Sequence, residues 1–299
     1  MKISRYLFLL PILALTACTE DYPDTNQNSD EVAYVNFYNA IEASRFDENL
    51  QLGVDNMIYI NDSVPTAIFP KYPRFSQTVT DDGRQFPAHF TGSETVIDNG
   101  GGEPIGVNYR KVYWMPIARG SYDFIYTSKN KVYLERKSSV LESKSYYTQY
   151  VVESPAADSL YTVVETSVPR EGKKGMVRVQ LVNLSPDLGP VNIYRTDNNN
   201  VTLPSDLPQG YTFGQTEVYD LSTEGTENTF DKIFIKFQRP GDVSPIQSVA
   251  VPADSGAVYT IVVQGFTQQT QRKIKIANNA YATVTVVPDL RVNVRRMFF

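Results

Sequence analysis

The sequence is poor in the residues on which most metal sites and many enzymes depend. Its 299 residues include one histidine and one cysteine, which is too few for the common zinc ligand sets. Basic residues are also in deficit, with 28 Lys and Arg against 33 Asp and Glu and a formal net charge of −5. A chain without a basic excess lacks the electrostatic footprint of a nucleic-acid-binding protein. We therefore expect no metal site, no cofactor and no nucleic-acid partner.

Long apolar runs are scarce as well, and the clearest one stands at the amino terminus. Lys2 and Arg5 precede an apolar stretch over residues 6–15. That stretch is shorter than the roughly 20 residues that a helix needs to cross a bilayer. A basic flank before a short apolar run is typical of a secretory signal. Residues 1–17 are therefore predicted to be a signal peptide.

The end of this signal peptide resembles the lipobox of bacterial lipoproteins. The tetrapeptide Leu15-Thr16-Ala17-Cys18 directly follows the apolar run and contains the only cysteine of the chain. The resemblance implies cleavage before Cys18 and a lipid on its sulfur atom. Because one acyl chain binds a membrane only marginally, two or three chains on this residue make a lasting anchor. The alternative is an ordinary signal peptide in which Cys18 is incidental.

Residues 18–31 are predicted to be the lipidated cysteine followed by a disordered acidic tether. Residues 19–31 contain five acids, no base and almost no apolar side chain, so they cannot bury enough surface to offset their chain entropy. Thr19 is not the aspartate of an inner-membrane retention signal, and Glu20 and Asp21 resemble the acidic export signal of surface lipoproteins. We expect a protein anchored to the outer membrane and exposed at the cell surface, the alternative being a merely solvated tail.

The rest of the chain alternates between apolar and polar residues with a period of two. The alternation is clear in residues 33–37, 177–181 and 273–276, and it is typical of β-strands. No segment has the pattern of a convincing amphipathic helix. Short strands separated by Pro, Gly and Asn predict an all-β fold made of two tandem, antiparallel, immunoglobulin-like β-sandwich domains.

An internal repeat supports two domains. Residues 33–40 align with residues 177–184, and residues 146–152 align with residues 258–264. Each copy is then expected to close on a similar strand, at 161–169 in the first and 281–288 in the second.

The domain boundary is predicted in the charged, glycine-flanked segment 170–175. Domain 1 is predicted for residues 32–170, with a loop insertion around 62–108 that is rich in Pro, Gly and Asp, and domain 2 for residues 175–299. The terminal segment 290–299 alternates, so it is expected to complete the sheet of domain 2.

The second copy resembles the bacterial family called domain of unknown function 4397. Members open with a strand that ends in Asn-X-Ser-Pro-Asp, here residues 183–187, and carry a late Tyr-Thr-rich strand, here residues 258–265. The first copy departs from this pattern, since residues 40–43 replace the Ser-Pro-Asp turn after Asn39. The resemblance implies immunoglobulin-like sandwiches on exported or lipid-anchored proteins, and it implies no activity.

None of the candidate catalytic or metal-binding motifs is complete. His89 has no Gly-X-Ser-X-Gly elbow to accompany it. The carboxylates of 81–83 and 98–100 could serve a glycosidase if they lay about 5–9 Å apart, but both segments have the composition of turns. Residues 197–200 lack the EF-hand spacing and fit a hairpin tip, and the glycines of 100–102 lack the pattern of a phosphate loop. We assign no catalytic residue and no metal ligand.

Aromatic side chains are the feature best suited to binding. Trp114 shares its alternation with Val112 and is expected in the interior. Tyr72, Phe75 and Phe86 lie in the polar insertion and are better candidates for exposed contacts. The ligand-binding residues are not identified by these patterns.

These features together predict a non-enzymatic, lipid-anchored protein of the cell envelope that binds a ligand. A glycan and an envelope protein are the partner classes considered. One alternative is a surface glycosidase or esterase that uses loop carboxylates or a serine. A second alternative is a structural spacer or assembly subunit that pairs through exposed strand edges.

Overall fold

The computed structural model describes the chain in ten ranges, and the regular elements in them are β-strands. The ranges are 31–43, 57–60, 75–76, 112, 114–127, 132–156, 159–197, 201–226, 231–277 and 279–298. The strands of the first half are β1 (Val32–Asn39), β2 (Met57–Ile60), β3 (Phe75–Ser76), β4 (Met115–Ala118), β5 (Gly120–Thr127), β6 (Tyr133–Leu141), β7 (Tyr146–Glu153) and β8 (Tyr161–Val168). Those of the second half are β9 (Met176–Asn183), β10 (Asn192–Thr196), β11 (Thr202–Leu203), β12 (Thr216–Ser222), β13 (Lys232–Gln238), β14 (Gln247–Pro252), β15 (Val258–Gln264), β16 (Thr270–Ala277), β17 (Ala280–Val286) and β18 (Arg291–Phe298).

The strands of the first half form a β-sandwich. One sheet has the order β4-β1-β7-β8 and the other the order β3-β2-β5-β6. Alternate side chains of β1, namely Ala33, Val35 and Phe37, are buried between the sheets against Phe124 and Tyr126 of β5. The period-2 pattern of the sequence therefore places one face of β1 in this core, as predicted.

The second half repeats the arrangement. Its sheets have the orders β12-β9-β15-β18 and β11-β10-β13-β14, and the hairpin β16-β17 forms a separate two-stranded sheet. Val177, Val179 and Leu181 of β9 lie in the core of this second sandwich, with Ile235 of β13. The predicted all-β sandwich class is confirmed. β8 ends at Val168 and β9 begins at Met176, on either side of the charged segment 170–175.

Two strand pairs are parallel, which the expectation of purely antiparallel sheets did not include. β1 pairs in parallel with β7, and β9 pairs in parallel with β15. The two strands of each pair are far apart in the sequence, and the chain between them crosses to the other sheet, so they can run in the same direction. The registers are equivalent, because Asn39 is opposite Val151 and Asn183 is opposite Val263. The internal repeat is therefore a repeat of strand pairing.

The prediction that residues 281–288 close the second copy is wrong. β8 closes the first copy by pairing with β7, as expected, but β17 pairs with β16 and not with β15. The strand that pairs with β15 is β18, so the terminal segment completes the sheet of the second sandwich, as predicted. Residues 161–169 and 281–288 were matched because both are rich in Tyr, Thr and Val. Composition of this kind does not specify which strand is the neighbour. The β16-β17 hairpin is an addition to the second copy.

The two sandwiches pack on one another through the sheets that contain β1 and β9, which we call the inner sheets. Tyr38 and Tyr150 of the first inner sheet pack against Val182 and Val262 of the second. In a neighbouring cluster, Tyr34 and Tyr146 of the first inner sheet pack against Val258 and Met297 of the second. The described residues therefore form four layers of sheet, with both faces of the inner sheets covered.

Candidate functional site

An open cavity with several polar groups lies on the β5-β6 hairpin, and we call it the hairpin groove. Tyr122, Phe124 and Tyr126 of β5 point toward the first core, so Ser121 and Asp123 face the other way. The antiparallel register places Ser121 opposite Val140 and Asp123 opposite Ser138. The groove has a volume of about 290 Å³ and is lined by Ser121, Tyr122, Asp123, Ser138, Ser139 and Val140.

Asp123 is the charged centre of the hairpin groove. Arg136 Nη2 donates a hydrogen bond to Asp123 Oδ2, and Ser138 Oγ donates one to Oδ1 at 2.5 Å. The bond from Arg136, followed by the bond from Ser138, lowers the pKa of the Asp123 carboxyl below its usual value. Because the pair is exposed, it contributes little to stability. The two hydrogen bonds keep the Asp123 carboxylate ionised and hold it in one orientation.

A chain of hydrogen bonds behind the groove fixes its floor. Ser139 Oγ donates to Glu165 Oε2 of β8 at 2.5 Å, and Gln149 Nε2 of β7 donates to the same oxygen at 2.6 Å. Tyr126 in turn donates to Gln149 Oε1. Burial, and then the charge of Glu165, raises the pKa of Tyr126 well above its ordinary value. These bonds connect both sheets of the first sandwich, so the groove lies on a rigid support.

The groups of the hairpin groove suit a ligand with several hydroxyls. Asp123 supplies acceptor oxygens and Ser121 a hydroxyl that both donates and accepts, and Arg136, the partner of Asp123, is a further donor next to the lining residues. Val140 adds an apolar wall, with 69% of its surface exposed. The volume lies near the lower end of the range for small-molecule sites, about 300–1,000 Å³. The two other serines of the groove, Ser138 and Ser139, donate hydrogen bonds to carboxylates.

A second polar cluster lies where the inner strands end, and we call it the junction cluster. Glu42 follows β1, is 1% exposed, and forms an ion pair with Arg291 at the start of β18. Gln264 Nε2 at the end of β15 donates to the same carboxylate at 3.3 Å. Glu153 at the end of β7 accepts a bond from the Ala43 amide at 2.6 Å. This cluster connects the two sandwiches through the contacts of Glu42 with Arg291 and Gln264.

Burial has a large effect on one carboxyl of the junction cluster. Desolvation, despite hydrogen bonds from three backbone amides, raises the pKa of Glu153 to about 7, and the nearby Glu42 carboxylate adds to the rise. A buried carboxylate is costly unless its oxygens are paired. Glu153 Oε2 has no hydrogen-bond partner among the described residues. Glu153 therefore exchanges its proton near neutral pH.

The Asn-X-Ser-Pro-Asp motif forms a turn that holds two strand ends together. Asn183 Oδ1 accepts from the Ser185 amide at 3.0 Å, which is an Asx turn. Asp187 accepts from the amide and the hydroxyl of Thr267, in the loop after β15. Asn39 makes the same Asx turn to the Ile41 amide at 2.9 Å in the first copy. The motif therefore stabilises the fold.

The structure places several of the residues singled out in the sequence. Trp114 is half-buried and stacks on Phe298, with 5.4 Å between ring centroids, in the same cluster as Val112. It belongs to the junction of the sandwiches, in keeping with the expected interior position. Asp197 closes the connection between β10 and β11, because its Oδ1 accepts from the Val201 amide at 2.8 Å. That contact is typical of the hairpin tip predicted there.

Other predictions fall on parts of the chain outside the described residues. They concern Cys18 with the signal peptide and tether, and nearly all of the insertion around 62–108, including His89, Tyr72, Phe86 and the carboxylates of 81–83 and 98–100. Phe75 is described only as part of β3. Within the described ranges, no group of three or more His, Cys, Asp or Glu residues is arranged to hold a metal ion. The same ranges contain no helix that is long and apolar enough to cross a membrane.

Sequence reasoning missed the hairpin groove. The available signal was the polar residues that alternate with Tyr122, Phe124 and Tyr126, together with Arg136 and Ser138 in the next strand. Their proximity depends on the register of β5 against β6, which the alternation alone does not specify.

Comparisons with known proteins give little information on this chain. It matches no protein-family model and no curated protein. Among solved structures it is similar to a chain from a structure described as "Alpha-glucan binding by a streptococcal virulence factor", with 12% identity and a TM-score of 0.22 over 78% of this chain and 92% of the other. At that TM-score the similarity supports no conclusion about ligand or mechanism. The resemblance of 183–187 to domain of unknown function 4397 stays a prediction.

Proposed function

We propose that this protein is a lipid-anchored protein of the outer membrane surface that binds a polyhydroxylated ligand, in particular a glycan, and does not convert it. The observation that carries the binding role is the hairpin groove, whose lining residues Asp123 and Ser138 are joined by a hydrogen bond and whose Asp123 is also held by Arg136. The anchor rests on the lipobox-like segment 15–18 and the acidic residues that follow. The groove and the anchor are separate features and require separate tests.

The fixed orientation of the charged side chains at the groove favours recognition by hydrogen bonds. A carboxylate and a guanidinium that are already oriented lose little conformational freedom when a ligand arrives. Sugar hydroxyls donate to carboxylates and accept from guanidinium groups, so both charges of the Asp123–Arg136 pair can contact one ring. Charge-assisted hydrogen bonds of this kind are worth about 1.5–3 kcal/mol each.

The binding role is tested on a glycan array with the full chain and two variants. Asp123→Asn keeps the size of the side chain and removes its charge. We expect it to weaken binding by about 10- to 100-fold, since one charge-assisted bond becomes a neutral one. Asp254→Asn is the matched control, because Asp254 is also an exposed partner of an arginine, Arg296, but lies in the second sandwich. Absence of glycan binding, or equal binding by the Asp123→Asn variant, would contradict the proposal.

The four-layer stack favours a second candidate, a rigid spacer that holds another envelope component away from the membrane. Both faces of the inner sheets are covered, so the two sandwiches form one stiff unit. The two candidates differ in which substitution removes function in cells. Asn36 of β1 accepts a hydrogen bond from Arg295 of β18 across the junction. A spacer tolerates Asp123→Asn in the groove but loses function when Asn36→Ala loosens the junction, whereas a binding protein loses function when Asp123→Asn alters the groove.

A further inference from the structure

The edge of β17 differs from the other strand edges of the described chain. β17 pairs with β16 and with no other described strand. Its seven residues, Ala280 to Val286, include no charged residue and no proline. Four of the seven are β-branched, and Tyr281 is 55% exposed. An uncharged edge of this kind, which pairs with no further described strand, offers backbone groups to another strand.

Every other sheet edge among the described strands carries one of the features that prevent such pairing. β3 and β11 are two residues long, and β4 is short and contains Pro116. β14 is also uncharged, but it is shorter than β17 and ends at Pro252. The remaining edges contain charged residues, which are Glu135, Arg136 and Lys137 in β6, Glu165 in β8, Glu217 and Asp220 in β12, Arg272, Lys273 and Lys275 in β16, and Arg291, Arg295 and Arg296 in β18.

We propose that β17 is a dimerisation edge, at which β17 of one chain pairs antiparallel with β17 of a second copy, centred on Thr283. The sequence of β17 is complementary to itself about this residue. Thr283 would lie opposite Thr283 of the second copy, Tyr281 opposite Thr285, and Ala282 opposite Val284. Aromatic–Thr and Thr–Thr pairs stabilise antiparallel strands, and no pair brings two like charges together. The two hairpins would then form one four-stranded sheet with a two-fold axis, a closed arrangement.

The hairpin is already held in place for such pairing. Ile274, Val284 and Val286 on its inner face are buried against Phe266 and against Ala43 of the first sandwich. Arg272 Nη2 also donates to the Ser154 carbonyl of the first sandwich at 2.7 Å. Because the strand is fixed before association, a partner strand need not order it.

The charges of the hairpin do not oppose the dimer. Lys273 and Lys275 lie on β16, which is the outer strand of each hairpin in the paired sheet. The two β16 strands would be three strand spacings apart, about 14 Å. That separation exceeds the screening length of about 8 Å at physiological ionic strength. The contact buries less than the roughly 1,200 Å² of a stable interface, so the dimer is weak and depends on concentration.

Cysteine cross-linking tests the pairing and its register. The chain has a single cysteine, so the full chain with Cys18→Ser provides a background without thiols. Adding Thr283→Cys places two sulfurs at the two-fold axis, and we expect mild oxidation to give disulfide-linked dimers. Thr285→Cys alone should give none, whereas a mixture of the Tyr281→Cys and Thr285→Cys chains should give mixed dimers. Lys273→Cys is the control, because it is equally exposed but lies on β16.

A second measurement uses protein without added cysteines. Sedimentation of the Cys18→Ser chain should show a dimer whose fraction rises with concentration, and Thr283→Lys should abolish it while leaving the far-ultraviolet spectrum unchanged. The proposal is overturned if the chain is monomeric at every concentration, the result expected where the edge receives a strand from another protein. It is also overturned if Lys273→Cys cross-links as well as Thr283→Cys does. Neither result bears on the hairpin groove, which lies on other strands.

Discussion

Arg295 of β18 donates a hydrogen bond from Nη2 to Oδ1 of Asn36 in β1 at 2.7 Å, across 259 residues of sequence. Each side chain is 1% exposed. The guanidinium also lies over the ring of Tyr38, 4.7 Å from its centroid. Removing a guanidinium from water costs several kcal/mol unless its donors find acceptors. The contact therefore stabilises only the arrangement in which the two inner sheets face one another.

Asn36→Ala should destabilise the protein by about 2–3 kcal/mol, because it removes an acceptor from a buried, charged donor. The change in the free energy of unfolding is measured by urea unfolding, monitored through tyrosine fluorescence. Asn192→Ala is the matched control, since Asn192 Oδ1 also accepts one bond, from the Gly210 amide, at the exposed end of β10. We expect a loss below about 1 kcal/mol there. Equal losses of unfolding free energy in the two variants would show that the junction hydrogen bond stabilises the protein no more than an exposed one.

Glu153 makes the stability of the protein depend on pH. Its pKa is about 7 in the folded chain against 4.5 ordinarily, so between these values the folded state binds more protons than the unfolded state. The stabilising contribution is complete below about pH 4.5 and is lost as the pH rises through 7. Glu153→Gln removes this dependence and should raise the free energy of unfolding at pH 8 by an amount on the order of 3 kcal/mol.

The comparison is made by urea unfolding of both proteins at pH 5 and pH 8. Glu171→Gln, in the exposed segment before β9, serves as the control and should not change the difference between the two pH values. If the Glu153→Gln protein loses the same stability between pH 5 and pH 8 as the parent, the buried carboxyl is not the titrating group.

The sequence predicted the faces of strands better than their partners. Alternation identified Val177, Val179 and Leu181 as one buried face, which the second core confirms. The same pattern leaves Tyr34 and Asn36 on the more polar face of β1, yet both are buried. Their burial comes from the packing of one inner sheet on the other, and a period of two within one strand contains no information on that contact.

The hairpin groove could not be predicted from the sequence for a related reason. Asp123 and Arg136 are 13 residues apart, and they meet only in one register of β5 against β6. The Asx turns were more accessible, because Asn39 and Asn183 act on an amide two residues further along the chain. Interactions that close within a few residues can be predicted from local sequence, whereas a site built across strands requires the pairing to be known.

Among the described glycines, Gly265 has the least room for a side chain. Its φ is +91°, and a Cβ there would lie 1.9 Å from the Asp289 carbonyl oxygen. Gly265→Ala should therefore cost about 3–5 kcal/mol, the sum of left-handed strain and a backbone clash. Gly210→Ala is the control, because Gly210 has a φ of +70° and open space around it. We expect Gly210→Ala to destabilise the protein by about 1–2 kcal/mol, from strain alone. Similar urea midpoints for the two variants would contradict the close approach of Gly265 to the Asp289 carbonyl oxygen.

The lipid anchor is tested at Cys18, independently of the folded part of the chain. A thioether-linked diacylglycerol binds the bilayer through about 0.8 kcal/mol for each buried CH₂, and further acylation makes the attachment lasting. Cys18→Ala removes the only sulfur that can carry the lipid, so the protein should move from the membrane fraction to the soluble fraction. Thr19→Ala is the control and should stay with the membranes. A Cys18→Ala chain that still sediments with membranes, or a mature protein whose mass shows no lipid, would mean that Leu15 to Cys18 belong to an ordinary signal peptide.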